Sequence, residues 1–275
     1  MTQQLWTALI LAGQRPGIDP LAAQFNQQWK ALIPIAGESM LSRVAKSLLA
    51  LSESSRKGDS IKRPPIGRII IMAQEPEALL TGDCAWLAKD SRITTAISGQ
   101  GIATSIMTLI DQKKITWPLL VTTADHPLLT PEIITEFLMK TPDKDLSVGV
   151  VNRTTILKHY PENRRTWLKF SDEAYSGANL FGMRNEKVKS ALHQWSMIEQ
   201  DRKKAWQLIR HFGLCLAIRA VTRTISFEKA LTQVGHTLGL TIQPVVLAQA
   251  EAGIDVDKLS DYKLAEQILK SRSRP

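Results

Sequence analysis

Residues 5–17 read LWTALILAGQRPG, a strand-sized apolar run that ends in a turn containing two glycines. Through the first half of the chain, further short β-type runs alternate with longer segments whose apolar residues recur at helical spacing. This alternation is typical of crossover units that feed a mainly parallel sheet. The sequence therefore predicts an α/β fold with three layers.

The predicted elements follow from these two periodicities. The first-half strands and helices are Leu5–Leu11, Met40–Leu51, Arg68–Met72, Ile93–Ile97, Ile102–Ile110, Leu119–Thr123, Pro131–Met139 and Leu146–Val151. After about residue 150 the pattern is less regular and predicts a strand-like piece at 175–182, helices at 186–197, 203–212 and 227–239, a strand at 241–247 and a helix near 260–270. Ser226 is the expected N-cap of the helix at 227–239, and Ser52–Pro65 is expected to be an exposed loop within the domain.

Composition and charge narrow the class of protein. The chain has 275 residues, 44% hydrophobic and 22% charged, which is ordinary for a soluble globular protein. Its formal charge of +9 suits anionic ligands. The basic residues are dispersed, and no zinc-finger, helix-turn-helix or aromatic RNA-binding motif occurs, so no nucleic-acid partner is expected.

Cysteine usage and the apolar runs bear on location. Cys84 and Cys215 are far apart and have no CxxC spacing, which excludes a disulfide framework and a cysteine-based zinc site. The apolar run at 7–12 is too short to span a membrane, and no basic residue precedes it as in a secretion signal. We therefore expect no transmembrane segment and a cytoplasmic location.

Two stretches in the first half place polar groups after predicted strands. Gly13 lets backbone N–H groups approach a phosphate closely, and Arg15 adds a positive charge, although a plain β–α turn explains the same residues. In the segment LLVTTADHPLL at 119–129, Asp125 follows a buried strand, where a metal–phosphate complex can sit. An aspartate that caps a turn or helix is the alternative.

A third stretch, GIDVDKLSDY at 253–262, carries paired carboxylates. In an extended segment Asp255 and Asp257 point the same way, because they are two residues apart. Together with Asp125 they can supply oxygen ligands to a divalent ion. Each of the three stretches by itself is weak evidence for a function, but their order along the chain is informative.

In that order the motifs resemble those of a known superfamily. LILAG at 9–13, KALIPIAGESML at 30–41, TADHPLLTPE at 123–132, GANLFG at 177–182 and DVDKLSDYKLAEQIL at 255–269 look like the sugar-nucleotide pyrophosphorylase and molybdenum-cofactor nucleotidyltransferase superfamily. The chain is most similar to molybdopterin guanylyl/cytidylyltransferase-like proteins. The resemblance implies a Rossmann-like nucleotide-diphospho-sugar transferase fold, with an α+β C-terminal extension. It implies a single domain over 1–275, in which 1–150 binds the NTP and 151–275 lies on the acceptor side.

The resemblance also implies a reaction and its residues. A nucleoside monophosphate moves from an NTP to a phosphorylated small-molecule acceptor, with Mg²⁺ as cofactor and release of pyrophosphate. Lys30 and Asp125 would be the catalytic residues. The positions carried over for nucleotide binding are Leu11, Ala12, Gly13, Gln14, Arg15, Lys30, Gly101 and Ser105, those for the metal are Asp125, Asp255 and Asp257, and Asn179 would face the acceptor.

The turn after the first strand departs from the usual pattern of these proteins. Gln14 stands where a second glycine is common, Ile18 where an arginine is expected, and Pro16 removes one N–H donor. A non-catalytic nucleotide-sensing or regulatory protein on the same fold would account for this turn. A glycosyltransferase of similar fold is disfavoured, because such enzymes typically carry an acidic residue two before the metal aspartate, and Thr123 stands there.

Overall fold

The computed structural model describes residues 5–53, 65–141, 143–200 and 214–272. The predicted helix at 203–212 and most of the predicted loop Ser52–Pro65 lie outside these residues. Within the described ranges, no helix is both long enough and apolar enough to cross a membrane. The chain divides into two compact units, each built from segments that are distant in sequence.

The elements alternate as the sequence pattern predicts. The strands are β1 Trp6–Leu11, β2 Pro34–Ile35, β3 Glu38–Ser39, β4 Ile66–Ala73, β5 Ile93–Ile97, β6 Leu119–Thr123, β7 Leu146–Asn152, β8 Leu168–Lys169, β9 Ala174–Met183 and β10 Ile242–Val246. The α-helices are α1 Pro20–Gln24, α2 Met40–Glu53, α3 Ile102–Asp111, α4 Pro131–Met139, α5 Arg153–His159, α6 Lys189–Gln200, α7 Leu214–Val221, α8 Phe227–Leu238 and α9 Leu259–Arg272. Short 3₁₀ helices span Lys30–Leu32, Pro76–Leu79, Gly82–Lys89, Glu186–Val188 and Ala250–Gly253.

The first unit comprises the described parts of 1–98, 120–139 and 254–275. Its strands lie in the order β6–β1–β4–β5, and β1, β4 and β5 run parallel to one another. β1 is buried from Trp6 to Ile10, as expected of a strand in the interior of a parallel sheet that is covered on both faces. The carboxyl ends of these strands therefore lie together at one edge.

Backbone hydrogen bonds continue past the strand ends at this edge. The N–H of Ala12 donates to the carbonyl of Met72, and the N–H of Ala124 donates to the carbonyl of Leu11, both at 2.9 Å. The turn that begins at Gly13 is therefore fixed next to the segments that follow β4 and β6.

The amphipathic helix α2 covers this sheet with a fully buried face that includes Leu41, Val44 and Leu48. The thiol of Cys84 is buried as well and lies 3.0 Å from the hydroxyl oxygen of Ser39, which precedes the helix. Burial raises the pKa of the Cys84 thiol to about 11, although the Ser39 hydroxyl opposes this. Cys84 is therefore a structural residue rather than a reactive thiol.

The second unit comprises the described parts of 99–119 and 140–253. β10 pairs parallel with β7, which pairs antiparallel with β9, and β8 adds antiparallel to β9. The helix α8 begins at the predicted N-cap Ser226, whose hydroxyl accepts the N–H of Lys229 at 3.4 Å, and it ends at Gly239 with φ +68°. The sequence thus predicted both ends of this helix within one residue.

Asp145 holds three strand ends of the second unit together. Its carboxylate accepts hydrogen bonds from the N–H (2.9 Å) and hydroxyl (2.8 Å) of Thr241 before β10 and from the amide of Asn185 (3.1 Å) after β9. The hydrogen bond from the Thr241 N–H lowers the pKa of the Asp145 carboxyl, with smaller contributions from Asn185 and Lys187, although partial burial opposes the shift.

We expect Asp145→Ala to lower the free energy of unfolding by about 1–3 kcal/mol, because the hydrogen bonds from Thr241 and Asn185 to a largely buried charged acceptor are lost. Since the folded pKa is depressed, the stabilisation is present above the ordinary aspartate pKa and is lost as the pH falls through the folded value. Urea unfolding of both proteins at pH 7 and in acid measures this difference. The control is Asp111→Ala, which removes an exposed ion pair with Lys189 and should change little. Equal stability of the two variants at pH 7 would contradict the role of Asp145.

Candidate active site

The candidate site lies in the first unit, at the carboxyl ends of β1 and β6. Asp125 follows β6 directly after Ala124, whose N–H is bonded to the end of β1. The carbonyl of Asp125 accepts the N–H of Val256 at 2.9 Å. This backbone bond brings the acidic segment before α9 to Asp125, as the sequence motifs imply.

Lys30 joins two of the predicted carboxylates. Its ammonium nitrogen Nζ lies 2.6 Å from Oδ2 of Asp125 and 2.6 Å from Oδ1 of Asp257. The side chain of Lys30 is 16% exposed, that of Asp125 22% and that of Asp257 65%. The pair with Asp125 is therefore shielded from water, whereas the pair with Asp257 faces solvent.

The charge state of Lys30 follows from these neighbours. Burial by itself lowers the pKa of a lysine, but the Asp125 and Asp257 carboxylates outweigh it and raise the pKa of Lys30 above its ordinary value. The ammonium is therefore charged throughout the neutral range. The stability that it gains from its partners is present below the ordinary lysine pKa and is lost only as the pH rises through the folded value.

The carboxylate oxygens of Asp125 and Asp257 are suited to bind a divalent cation. Oδ1 of Asp125 is buried and has no hydrogen-bond partner among the described residues, and Mg²⁺ is usually held by one or two carboxylates together with substrate phosphates. Asp125 and Asp257 fit that description. Asp255 is half-buried, and its contribution to a metal site stays a prediction. In the described part of the chain, no three His, Cys, Asp or Glu side chains form a metal-binding group.

The turn after β1 presents backbone donors. Within the described residues, the N–H groups of Gly13, Arg15 and Gly17 have no acceptor, and the exposed Arg15 side chain makes no ion pair. Gly17 has φ +97°, a conformation that favours glycine. Free N–H groups beside an arginine are what an anion requires from such a turn.

Gln14, at which this turn departs from the usual pattern, is held by hydrogen bonds of its own side chain. Its side chain folds back along the chain, where its amide donates to the carbonyl of Gln28 at 2.9 Å and its oxygen accepts the N–H of Lys30 at 3.0 Å. Across the turn, the side chain of Gln74 lies so close that a Cβ on Gly13 would stand 2.9 Å from its oxygen. A side chain at position 13 would therefore displace the end of the Gln74 side chain from its contact with the turn.

Gly101 and Ser105 lie at the beginning of α3 in the second unit. The Ser105 hydroxyl donates to the Gly101 carbonyl at 2.5 Å and accepts the N–H of Gly99 at 2.8 Å, which closes the segment into a turn. The first N–H groups of α3, those of Ile102 and Ala103, donate to the carboxylate of Glu199 from α6 at 2.7 and 3.1 Å. The contribution of Gly101 and Ser105 to nucleotide binding stays a prediction.

Asn179 has an unusual backbone in the second unit. It lies inside β9 with φ +48°, close to the register shift between Val148 and Val150 in the pairing of β7 with β9. Such a bulge re-aims side chains and is common beside functional sites. The expectation that Asn179 faces the acceptor stays a prediction.

Sequence reasoning missed Gln74 and the contacts of the Gln14 side chain. Gln74 follows β4 directly and is thus a polar residue at the carboxyl end of a parallel strand, the same position that pointed to Asp125. Applied to every predicted strand, that rule would have found it.

A comparison with protein-family models gives one match. The model of the MobA-like NTP transferase domain matches residues 8–169, which include Lys30 and Asp125 but not Asp257. A search of curated proteins finds no significant match.

Solved structures share the fold along nearly the whole chain. A hypothetical transferase from Thermus thermophilus is 22% identical, covers 94% of this chain and 100% of its own, and superposes with a TM-score of 0.74. A 4-diphosphocytidyl-2C-methyl-D-erythritol synthase from Anaerococcus prevotii covers 98% and 97% at 9% identity, with a TM-score of 0.57. CMP:2-keto-3-deoxy-manno-octonic acid synthetase in complex with CTP covers 98% of both chains at 10% identity, with a TM-score of 0.55. The predicted Rossmann-like α/β fold with a mainly parallel sheet is confirmed. The predicted single domain stays a prediction.

Proposed function

Because the chain belongs to the MobA-like NTP transferase domain family, we propose that it is a cytoplasmic, Mg²⁺-dependent nucleotidyltransferase. It transfers a nucleoside monophosphate from an NTP to a phosphorylated small-molecule acceptor. The observation that carries the proposal is Lys30, held 2.6 Å from both Asp125 and Asp257 at the carboxyl edge of the first unit. The synthetase with the same fold, which was solved in complex with CTP, supports it.

The reaction requires no nucleophilic side chain. A phosphate oxygen of the acceptor attacks the α-phosphorus of the NTP, the bond between this phosphorus and its bridging oxygen to the β-phosphate breaks, and the electron pair leaves with pyrophosphate. The protein mainly has to position the reactants and stabilise negative charge. A charged lysine that is shielded from water suits this function.

The turn after β1 is proposed to hold the triphosphate. The N–H groups of Gly13, Arg15 and Gly17 donate to phosphate oxygens, and the guanidinium of Arg15 neutralises their charge. Lys30 contacts the α-phosphate. Mg²⁺, held by Asp125 and Asp257, supplies further charge neutralisation when it is bound.

A thermal-shift panel tests the proposal, because a ligand that binds only the folded state raises the melting temperature. The panel contains ATP, GTP, CTP and UTP, each with and without Mg²⁺. We expect a Mg²⁺-dependent shift with at least one NTP, and that NTP then serves in a pyrophosphate-release screen of pterin, sugar and polyol phosphates. A shift without turnover on any acceptor favours nucleotide sensing, and no shift at all overturns the proposal.

A further inference from the structure

Gln14 and Gln74 form a reciprocal pair that nothing in the proposed reaction uses. The N–H of Gln14 donates to the side-chain oxygen of Gln74 at 3.2 Å, and the side-chain amide of Gln74 donates to the carbonyl of Gln14 at 2.8 Å. These two hydrogen bonds continue the pairing of β1 with β4 beyond the ends of both strands. The pair fixes the two peptide groups that flank the Cα of Gln14.

The Gln14 side chain then reaches two further segments. Its amide donates to the carbonyls of Gly17 (3.2 Å) and Gln28 (2.9 Å), and its oxygen accepts the N–H of Lys30 (3.0 Å). One side chain thus uses three hydrogen bonds to join both ends of the turn to the segment that carries Lys30. Among the described residues, the oxygen of Gln14 is the acceptor for the Lys30 N–H.

We propose that Gln14 is a positioning residue for Lys30, and that Gln74 holds Gln14 in the orientation this requires. Gln74 fixes the Gln14 peptide, Gln14 fixes the backbone of Lys30, and the Lys30 ammonium is thereby aimed between Asp125 and Asp257. The inference rests on the proposed function, because positioning matters only if Lys30 stabilises charge during a reaction. Gln14, which stands where a second glycine is common, would then strengthen the site rather than weaken it.

A competing interpretation makes the opposite prediction. If Gln74 merely occupied the Gln14 N–H that a phosphate needs, removing its amide would tighten nucleotide binding. If it holds the turn together, removal loosens the turn and weakens both binding and turnover. Gln74→Met preserves the length of the side chain and removes its hydrogen bonds. A lower nucleotide Kd in this variant would favour the competing interpretation, and a higher one would favour the positioning proposal.

The kinetic test uses Gln14→Met, with Gln24→Met as the matched control. Gln24 lies in α1 and donates only to the carbonyl of Pro20 within the described chain. We expect Gln14→Met to lower kcat at least 10-fold, and we expect Gln74→Met to lower kcat as well. The kcat of Gln24→Met should stay within 2-fold of the wild type. If Gln14 acts through Lys30, adding Gln14→Met to Lys30→Met lowers kcat by less than 2-fold, because the two changes then remove one interaction.

A second measurement needs no activity and keeps the two proposals distinguishable. Amide hydrogen exchange at Lys30 is followed by NMR in the protein without nucleotide. Gln14→Met should accelerate it at least 10-fold, whereas Gln24→Met should not change it. Unchanged exchange, additive kinetic losses with Lys30→Met, or tighter nucleotide binding by Gln74→Met would each overturn the positioning proposal. Absence of turnover in the wild type with accelerated exchange in Gln14→Met would overturn the enzymatic proposal alone, because the link from Gln14 to the Lys30 backbone would then be supported without a reaction.

Discussion

Asp125→Asn is expected to lower kcat by at least about 10³-fold, because losing one preorganised electrostatic contact in a shielded site typically costs about 10²–10³ in rate and Asp125 contributes two. One oxygen holds the Lys30 ammonium at 2.6 Å, and the other is a buried acceptor that fits a cation. Asparagine keeps the shape of the side chain and removes its charge. Pyrophosphate release at saturating Mg²⁺ and NTP measures the loss.

The control for this prediction is Glu132→Gln. Glu132 is exposed in the first turn of α4, and its replacement changes the net charge by the same amount. Turnover of the control should equal that of the wild type. If Asp125 only capped a turn or helix, its replacement would reduce the free energy of unfolding by about 1 kcal/mol and leave turnover intact. Undiminished turnover in Asp125→Asn would therefore remove Asp125 from the reaction and the proposed function with it.

The part of the site that could be predicted consists of residues that directly follow buried strands. The buried strands β1 and β6 are recognisable as continuous apolar runs, and parallel strands present their carboxyl ends at one edge. Asp125 and the turn at Gly13 follow directly from that argument. Asp257 was a candidate because of its spacing from Asp255, but only the resemblance implied that its motif lies beside Asp125, since no local pattern places a segment more than 100 residues away against that residue.

The remaining part of the site depends on side chains that reach across segments. The sequence shows a glutamine where a glycine is common, and loss of function was a natural expectation for Gln14. Its actual contacts need the positions of Gln28, Lys30 and Gln74 at once. For the same reason, the Glu199 carboxylate at the start of α3 could not be read from either helix alone.

Lys30→Met is expected to lower kcat by about 10²–10³-fold, the range typical of losing one charged contact to the transition state. It should also change how the protein without nucleotide responds to metal. In the wild type the ammonium lies between Asp125 and Asp257 and offsets half of their combined negative charge. Methionine leaves two adjacent carboxylates uncompensated, which is unfavourable by itself and favours a divalent cation.

Melting temperatures with and without Mn²⁺ or Mg²⁺ test this second effect. We expect a larger metal-dependent increase for Lys30→Met than for the wild type, because the ammonium no longer competes for the carboxylate oxygens. Lys46→Met, which removes a more exposed ion pair with Glu38, is the matched control and should respond as the wild type does. In Lys30→Met/Asp125→Asn the extra increase should disappear, since one carboxylate is gone. Equal metal responses of Lys30→Met and the wild type would mean that Asp125 and Asp257 do not hold a cation jointly, and the metal ligands would have to be sought elsewhere in the chain.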